Sequence, residues 1–209
     1  MADPKAFFGK FGQMAVKAVA GTPLFASVAL AQAALETGYA ISKPYNNMFG
    51  IKGTNSLGRV FSATTKEYLN GKMQTIQGTG KVYGSYNEAI KDGANKYTIF
   101  KAYDDESGSW KDYVKRITES KRYKPVLKAE TPQDQIAAIK AAGYATDPNY
   151  VSKITAIISK YNLEQYDRQK KAEQKKNNGI KAVIIIVLIT LIIFIVWQRK
   201  SILKRLQSL

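Results

Sequence analysis

RVFSATTKEYLNGKMQTIQGTGKVY, residues 59–83, breaks with the helical pattern on both sides of it. Thr, Val and Tyr alternate along it around Asn70-Gly71-Lys72, and an Asn-Gly pair supplies the two positive-φ residues that a tight hairpin turn needs. The stretch predicts a β-hairpin lobe. Upstream, residues 1–21 space Phe and Lys as on an amphipathic helix, GTP at 21–23 interrupts, and a second helix is expected over 24–37. Helical periodicity returns from Asn87, with further helices near 109–120, 132–142 and 148–162. Helices enclosing a small β excursion make residues 1–165 an α+β domain, mainly helical.

Composition narrows the chemistry. The chain has 209 residues, 45% of them hydrophobic, enough for one full core and an appendage. It contains no cysteine and no histidine. Disulfides, thiolate chemistry, a Ser-His-Asp triad and nearly every zinc site are therefore excluded. Acid–base chemistry falls to Asp, Glu, Tyr or Lys. The net charge of +16 calls for an anionic partner: nucleic acid, an anionic membrane or a cell-wall polymer.

The C-terminal quarter is of another kind. Residues 166–179 are polar and basic and read as a solvated linker or helical stalk. Residues 180–198, IKAVIIIVLITLIIFIVWQ, hold an apolar run from 182 to 197 broken only by Thr190. Sixteen helical residues span roughly 24 Å, and Lys181 and Trp197 at its ends extend this toward the ~30 Å of a bilayer core. A transmembrane helix is expected, followed by a basic tail over 199–209. Half of the net charge, +8, lies in residues 166–209, where it suits anionic lipid head groups. The other +8 is spread over 1–165 without basic runs interleaved with aromatics, so no nucleic-acid partner is expected.

One carboxylate stands out. ALAQAALETGYA, residues 29–40, drives an Ala-rich helix into Glu36 just before Gly38, a natural helix stop. The negative end of the helix dipole disfavours an ionised carboxyl there, and Ala and Leu neighbours add a desolvation cost. Both raise its pKa, as a general acid at neutral pH requires. A surface glutamate fraying into water is the other reading of this stretch.

Five blocks bear on that choice: ALAQAALETGYA, NNMFGIKG (46–53), TTKEYLNG (64–71), VYGSYNEAIKD (82–92) and AGYATDPNYVSKI (142–154). In this order, over residues 12–163, they resemble glycoside hydrolase family 73, peptidoglycan N-acetylglucosaminidases that include flagellar rod-associated hydrolase domains. The resemblance implies a lysozyme-like fold with a β-lobe beside a cleft, and cleavage between N-acetylglucosamine and N-acetylmuramic acid. It implies Glu36 as general acid and Glu67, the Glu of the family's TxEY motif, as second carboxylate. Whether Glu67 is a nucleophile, a base or a support for the substrate's own acetamido group stays open, since carboxyl separations of about 5 Å and about 6.5–9.5 Å fit different mechanisms. Tyr144 matches a cleft tyrosine; a core tyrosine with a bonded hydroxyl is the other reading. Asn47, Phe49 and Gly50 look like a cleft-floor segment that binds sugar. Asp147 reads as a turn or cap before Asn149. No metal or cofactor is called for.

Two features depart from the family pattern. Residues 93–110 are an apparent insertion, read either as a bland surface loop or as an extended cleft wall or partner contact. The other is the C-terminal anchor. Six Lys or Arg precede the span and four follow it, favouring a cytoplasmic domain, and the chain shows no signal peptide. That conflicts with an extracytoplasmic wall substrate. A phage or prophage lytic protein, in a virion membrane or released at lysis, resolves the conflict; a bacterial envelope enzyme with its bulk outside is the other solution. The expected function is thus a membrane-anchored glucosaminidase partnered by peptidoglycan strands and a lipid bilayer. A lytic transglycosylase and a non-catalytic wall-binding protein are the alternatives.

Overall fold

The computed structural model describes residues 3–145 and 147–206, with side chains described for all of these except Tyr68 and residues 196–206. Trp197 and the cations of the 199–209 tail therefore lie outside the described side chains. The chain forms two units, Met1–Asp167 and Arg168–Leu209.

Helix α1 (Pro4–Ala18) starts where Asp3 accepts the Lys5 N–H at 2.9 Å and Pro4 takes the first helical position. It buries Phe7, Phe8, Phe11, Ala15 and Val16, with Lys5, Lys10 and Lys17 on the solvent side. Helix α2 (Ala26–Thr37) is the centre of the domain. Ten of its twelve residues are buried, five of them alanines, so neighbours can approach on every side. Helices α1, α5 (Pro132–Ala141) and α6 (Tyr150–Lys160) all pack on it, and α4 (Glu106–Glu119) packs on α1.

The hairpin forms as its sequence predicts. Strands β2 (Thr65–Leu69) and β3 (Lys72–Ile76) pair antiparallel, Leu69 opposite Lys72, with Asn70 (φ 51°) and Gly71 (φ 77°) making the turn. A second sheet was not foreseen. Strands β1 (Val60–Ser62), β4 (Val82–Tyr83) and β5 (Ile99–Lys101) form an antiparallel sheet in the order β4-β1-β5. With the short helix α3 (Tyr86–Lys91) it encloses a satellite core of Val60, Tyr83, Ala89, Ala94 and Ile99.

This sheet corrects the surface-loop reading of residues 93–110. The segment contributes β5, with Phe100 opposite Phe61, and the opening of α4. Thr98, Ile99, Ser109 and Trp110 are fully buried. Its acidic patch is structural as well. Asp105 caps α4 by accepting the Gly108 N–H, Glu106 pairs with Lys10 at 2.6 Å, and Asp104 with Arg59 at 3.3 Å.

Helix α7 runs from Glu164 to Leu206, so the stretch expected to be a linker or stalk is helical. Its first turn belongs to the domain. Tyr166 donates its hydroxyl to the Phe8 carbonyl at 3.1 Å and lies so close over Gly12 that any Cβ there would collide with the ring. Asp167 accepts the Ser27 N–H at 3.0 Å, placing a carboxylate at the positive end of α2. Asp167→Ala should therefore cost the domain about 1–2 kcal/mol, as loss of a helix cap does. Denaturant titration of the full chain in detergent checks this, and an unchanged midpoint would mean that the contact contributes nothing. From Ile180 to Ile195 the large apolar side chains of α7 are exposed, and the helix is long and apolar enough to cross a membrane.

Candidate active site

Glu36 ends the central helix. Gly38 adopts the left-handed conformation (φ 61°, ψ 37°), and the Tyr39 N–H closes back on the Ala34 carbonyl at 3.1 Å. The side chain opens to solvent in a cleft, but protein crowds around the carboxyl and strips enough water from it to raise its pKa; Lys43 opposes the shift. The site thus holds a proton more tightly than an ordinary glutamate does.

The cleft, about 660 Å³, also takes in Glu67, Tyr144, Phe49 and Gly50. Glu67 comes from β2, opposite Gln74. Lys52 reaches its Oε1 at 2.6 Å and the Thr65 hydroxyl donates to the same oxygen at 3.1 Å. Lys52 also donates to the Tyr97 carbonyl at 2.6 Å and lies 4.0 Å from the Phe100 ring centroid. The Lys52 ammonium that engages the carboxylate is therefore itself held from three directions, by Glu67, the Tyr97 carbonyl and the Phe100 ring, the last two supplied by the 93–110 segment.

Tyr144 follows the left-handed Gly143 at the end of α5 (φ 75°). Its ring contacts those of Tyr113, Tyr123 and Tyr150, with centroids 6.1–6.5 Å apart. Burial pushes the phenol well above its ordinary range, and the nearby Glu36 adds to the shift, so Tyr144 is a neutral hydrogen-bonding group.

The 47–50 segment forms the floor. Asn47 is buried and ties the loop together: its Nδ2 donates to the Ile51 and Lys101 carbonyls at 3.0 Å, and its Oδ1 accepts the Ile51 N–H at 2.9 Å. Phe49 stacks on Tyr113 at 4.3 Å and meets Trp110 edge-on at 5.0 Å. Gly50 has φ 58° and open space where a Cβ would stand, so its backbone faces the cleft without a side chain. A smaller depression of about 210 Å³, lined by Lys43, Asn47, Met48 and Phe61, shares Glu36, Gly50 and Phe100 with the cleft. Asp147 accepts the Asn149 N–H at 2.8 Å and pairs with Lys153 at 2.6 Å, the turn role that its sequence context indicates.

Residues 12–163 match the glucosaminidase family, described as mannosyl-glycoprotein endo-beta-N-acetylglucosaminidase. The chain belongs to that family. This glucosaminidase domain is 35% identical over 144 residues to the exo-glucosaminidase LytG of Bacillus subtilis, covering 68% of this chain and 45% of that protein. It is 34% identical over 161 residues to a probable N-acetylmuramidase of Lactococcus lactis, covering 75% of this chain and 33% of that one. The matches thus span less than half of these relatives' lengths. Among solved structures, the C-terminally truncated glycoside hydrolase domain of Salmonella typhimurium FlgJ superposes with a TM-score of 0.55 at 32% identity. That match covers 77% of this chain and 98% of the FlgJ chain.

Some groups of the glucosaminidase domain escaped sequence reasoning. Lys52 sits inside NNMFGIKG, but nothing local says that it will meet Glu67. Gln32, one helical turn before Glu36, reads as a polar interruption; in the fold it is buried, donates to the Tyr150 hydroxyl at 2.5 Å and accepts from that of Tyr113. Arg116 and Lys153 reach the cleft from α4 and α6. Among the described residues no three acidic side chains converge as a metal ion would need.

Proposed function

We propose that the chain hydrolyses peptidoglycan between N-acetylglucosamine and N-acetylmuramic acid while held to a membrane by α7. The observation that carries this is the shared cleft of Glu36 and Glu67, with the proton-retaining Glu36 at its centre. Glu36 donates its proton to the leaving glycosidic oxygen. Glu67 has Oε1 engaged by Lys52 and Thr65, which leaves Oε2 for an attacking water or for the N–H of the substrate's acetamido group. The Tyr144 hydroxyl orients the acetamido group or faces the positive charge that develops on the sugar ring. Gly50 offers its backbone to the sugar on the cleft floor, where Phe49 and Asn47 hold the loop in place.

Full-length chain in detergent should release soluble fragments from purified peptidoglycan. No release by a folded sample would leave only a wall-binding protein. The +8 of residues 1–165 holds the domain on anionic wall polymer, so retention should weaken as salt is raised.

The anchor rests on sixteen consecutive, mostly large apolar residues, whose transfer to lipid far outweighs any attraction of lysines for head groups. The chain should stay with membranes through high-salt and alkaline washing, and release of intact protein by either wash would rule out a spanning helix. The cation distribution around α7 favours a domain on the cytoplasmic side, which suits a phage-type lytic protein that meets the wall at lysis or from a virion. Protease protection of the domain in intact spheroplasts tests that orientation against an envelope enzyme facing outward.

A further inference from the structure

Beyond Lys52 and Arg116 the catalytic cleft continues into a second depression of about 460 Å³, and these two residues line both. Its ionic balance is uneven. Lys52 is paired with Glu67 at 2.6 Å, Lys101 with Asp112 at 2.5 Å, and Lys115 with Glu119 at 3.9 Å. Arg116 is the exception. Its guanidinium carbon lies 6.0 Å from the Tyr144 ring centroid, the side chain is exposed, and no carboxylate is within ion-pair distance among the described residues. A planar guanidinium is matched by a carboxylate bound through two parallel hydrogen bonds, and one cation asks for one such group rather than for a polyanion.

We propose that Arg116 and this depression form a subsite for a carboxylate of the peptide borne by the glycan strand, making Arg116 a specificity-determining residue. The inference rests on the peptidoglycan reading above. A strand lying in the main cleft between Glu36 and Glu67 has its lactyl-linked peptides projecting from the muramic sugars. The depression opens from the same cleft, beside the Arg116–Tyr144 pair, where such a substituent would emerge. Each neighbouring lysine of the depression already has a carboxylate partner, so discrimination falls to Arg116.

The test compares two forms of phosphate-free peptidoglycan, one native and one with its peptide carboxyls converted to neutral amides, so that only carboxylate charge differs. Binding of the full chain in detergent is measured by co-sedimentation, and hydrolysis by fragment release. The wild-type chain should favour the native form by about 5- to 20-fold, the range expected for one charge-assisted pair. Arg116→Gln should bring that ratio close to one, and Arg116→Lys should retain part of it. Lys128→Gln, an exposed cation outside the cleft, should keep the wild-type ratio, which separates a local contact from the overall positive charge. A mere shift of Tyr144 in Arg116→Gln would depress both substrates equally and leave the ratio intact. An Arg116→Gln ratio equal to the wild-type one overturns the proposal. Because the ratio is also read by binding, failure of the chain to hydrolyse either form would count against the catalytic reading and not be mistaken for failure of the subsite.

Discussion

Glu36→Gln should fold normally and lose at least ~100-fold in peptidoglycan hydrolysis, the scale on which enzymes lose a general acid. Gln keeps the shape and removes the proton that the leaving oxygen needs. The raised pKa adds two pH signatures. Activity requires the protonated carboxyl, so the alkaline limb of the kcat/KM profile should lie above the ordinary glutamate range and vanish in the variant. Stability moves oppositely to the usual carboxylate case. A group whose pKa rises on folding contributes fully below its unfolded value and loses that contribution as pH rises through the folded one. Glu36→Gln should therefore gain Tm relative to wild type at pH 7, with the gain shrinking toward acid pH. A folded variant with near-normal turnover removes Glu36 from its role, and a Tm difference independent of pH removes the desolvation argument.

Trp110→Ala should be the most destabilising single change in the domain. The indole is fully buried between Phe11, 6.3 Å away and stacked, and Phe49, edge-on at 5.0 Å. Such truncations cost about 3–5 kcal/mol, which for a chain of this size lowers Tm by roughly 10 °C. Replacing residues 93–110 with a Gly/Ser loop should go further and abolish the fold, because β5, the buried Thr98 and Ile99 and the start of α4 all leave together. Calorimetry of the point variant and circular dichroism of the replacement decide this. A cooperatively folding, active replacement would return the segment to the status of a surface loop.

The elements with local signatures were legible and those made by long-range pairing were not. Asn70-Gly71 announced its hairpin because two consecutive positive-φ residues have few other uses. The alanine-rich run of α2 announced a helix, and Gly38 its end. Strand β5 has three residues and β4 two, too short for any periodicity to register, and both owe their conformation to β1. Trp110 carried no local mark of burial; Phe49 and Phe11 reach it from distant parts of the chain. At the site, Glu36 could be picked out from its position on the helix, whereas Glu67 rested on resemblance. Its partner Lys52 lies 15 residues upstream, and Lys52 is in turn held by the Tyr97 carbonyl, 45 residues further along the chain from Lys52. Gln32 had a helical address but no visible partner, since Tyr113 and Tyr150 lie 81 and 118 residues downstream.

The most direct test of the account is the identity of the new chain ends made when the full-length chain digests purified peptidoglycan in ¹⁸O-labelled water. The proposed glucosaminidase cleavage predicts new reducing ends of N-acetylglucosamine, each carrying one labelled oxygen, seen by mass spectrometry of the released fragments. Labelled N-acetylmuramic ends would contradict the bond assignment, and unlabelled 1,6-anhydro-muramic ends would contradict hydrolysis itself.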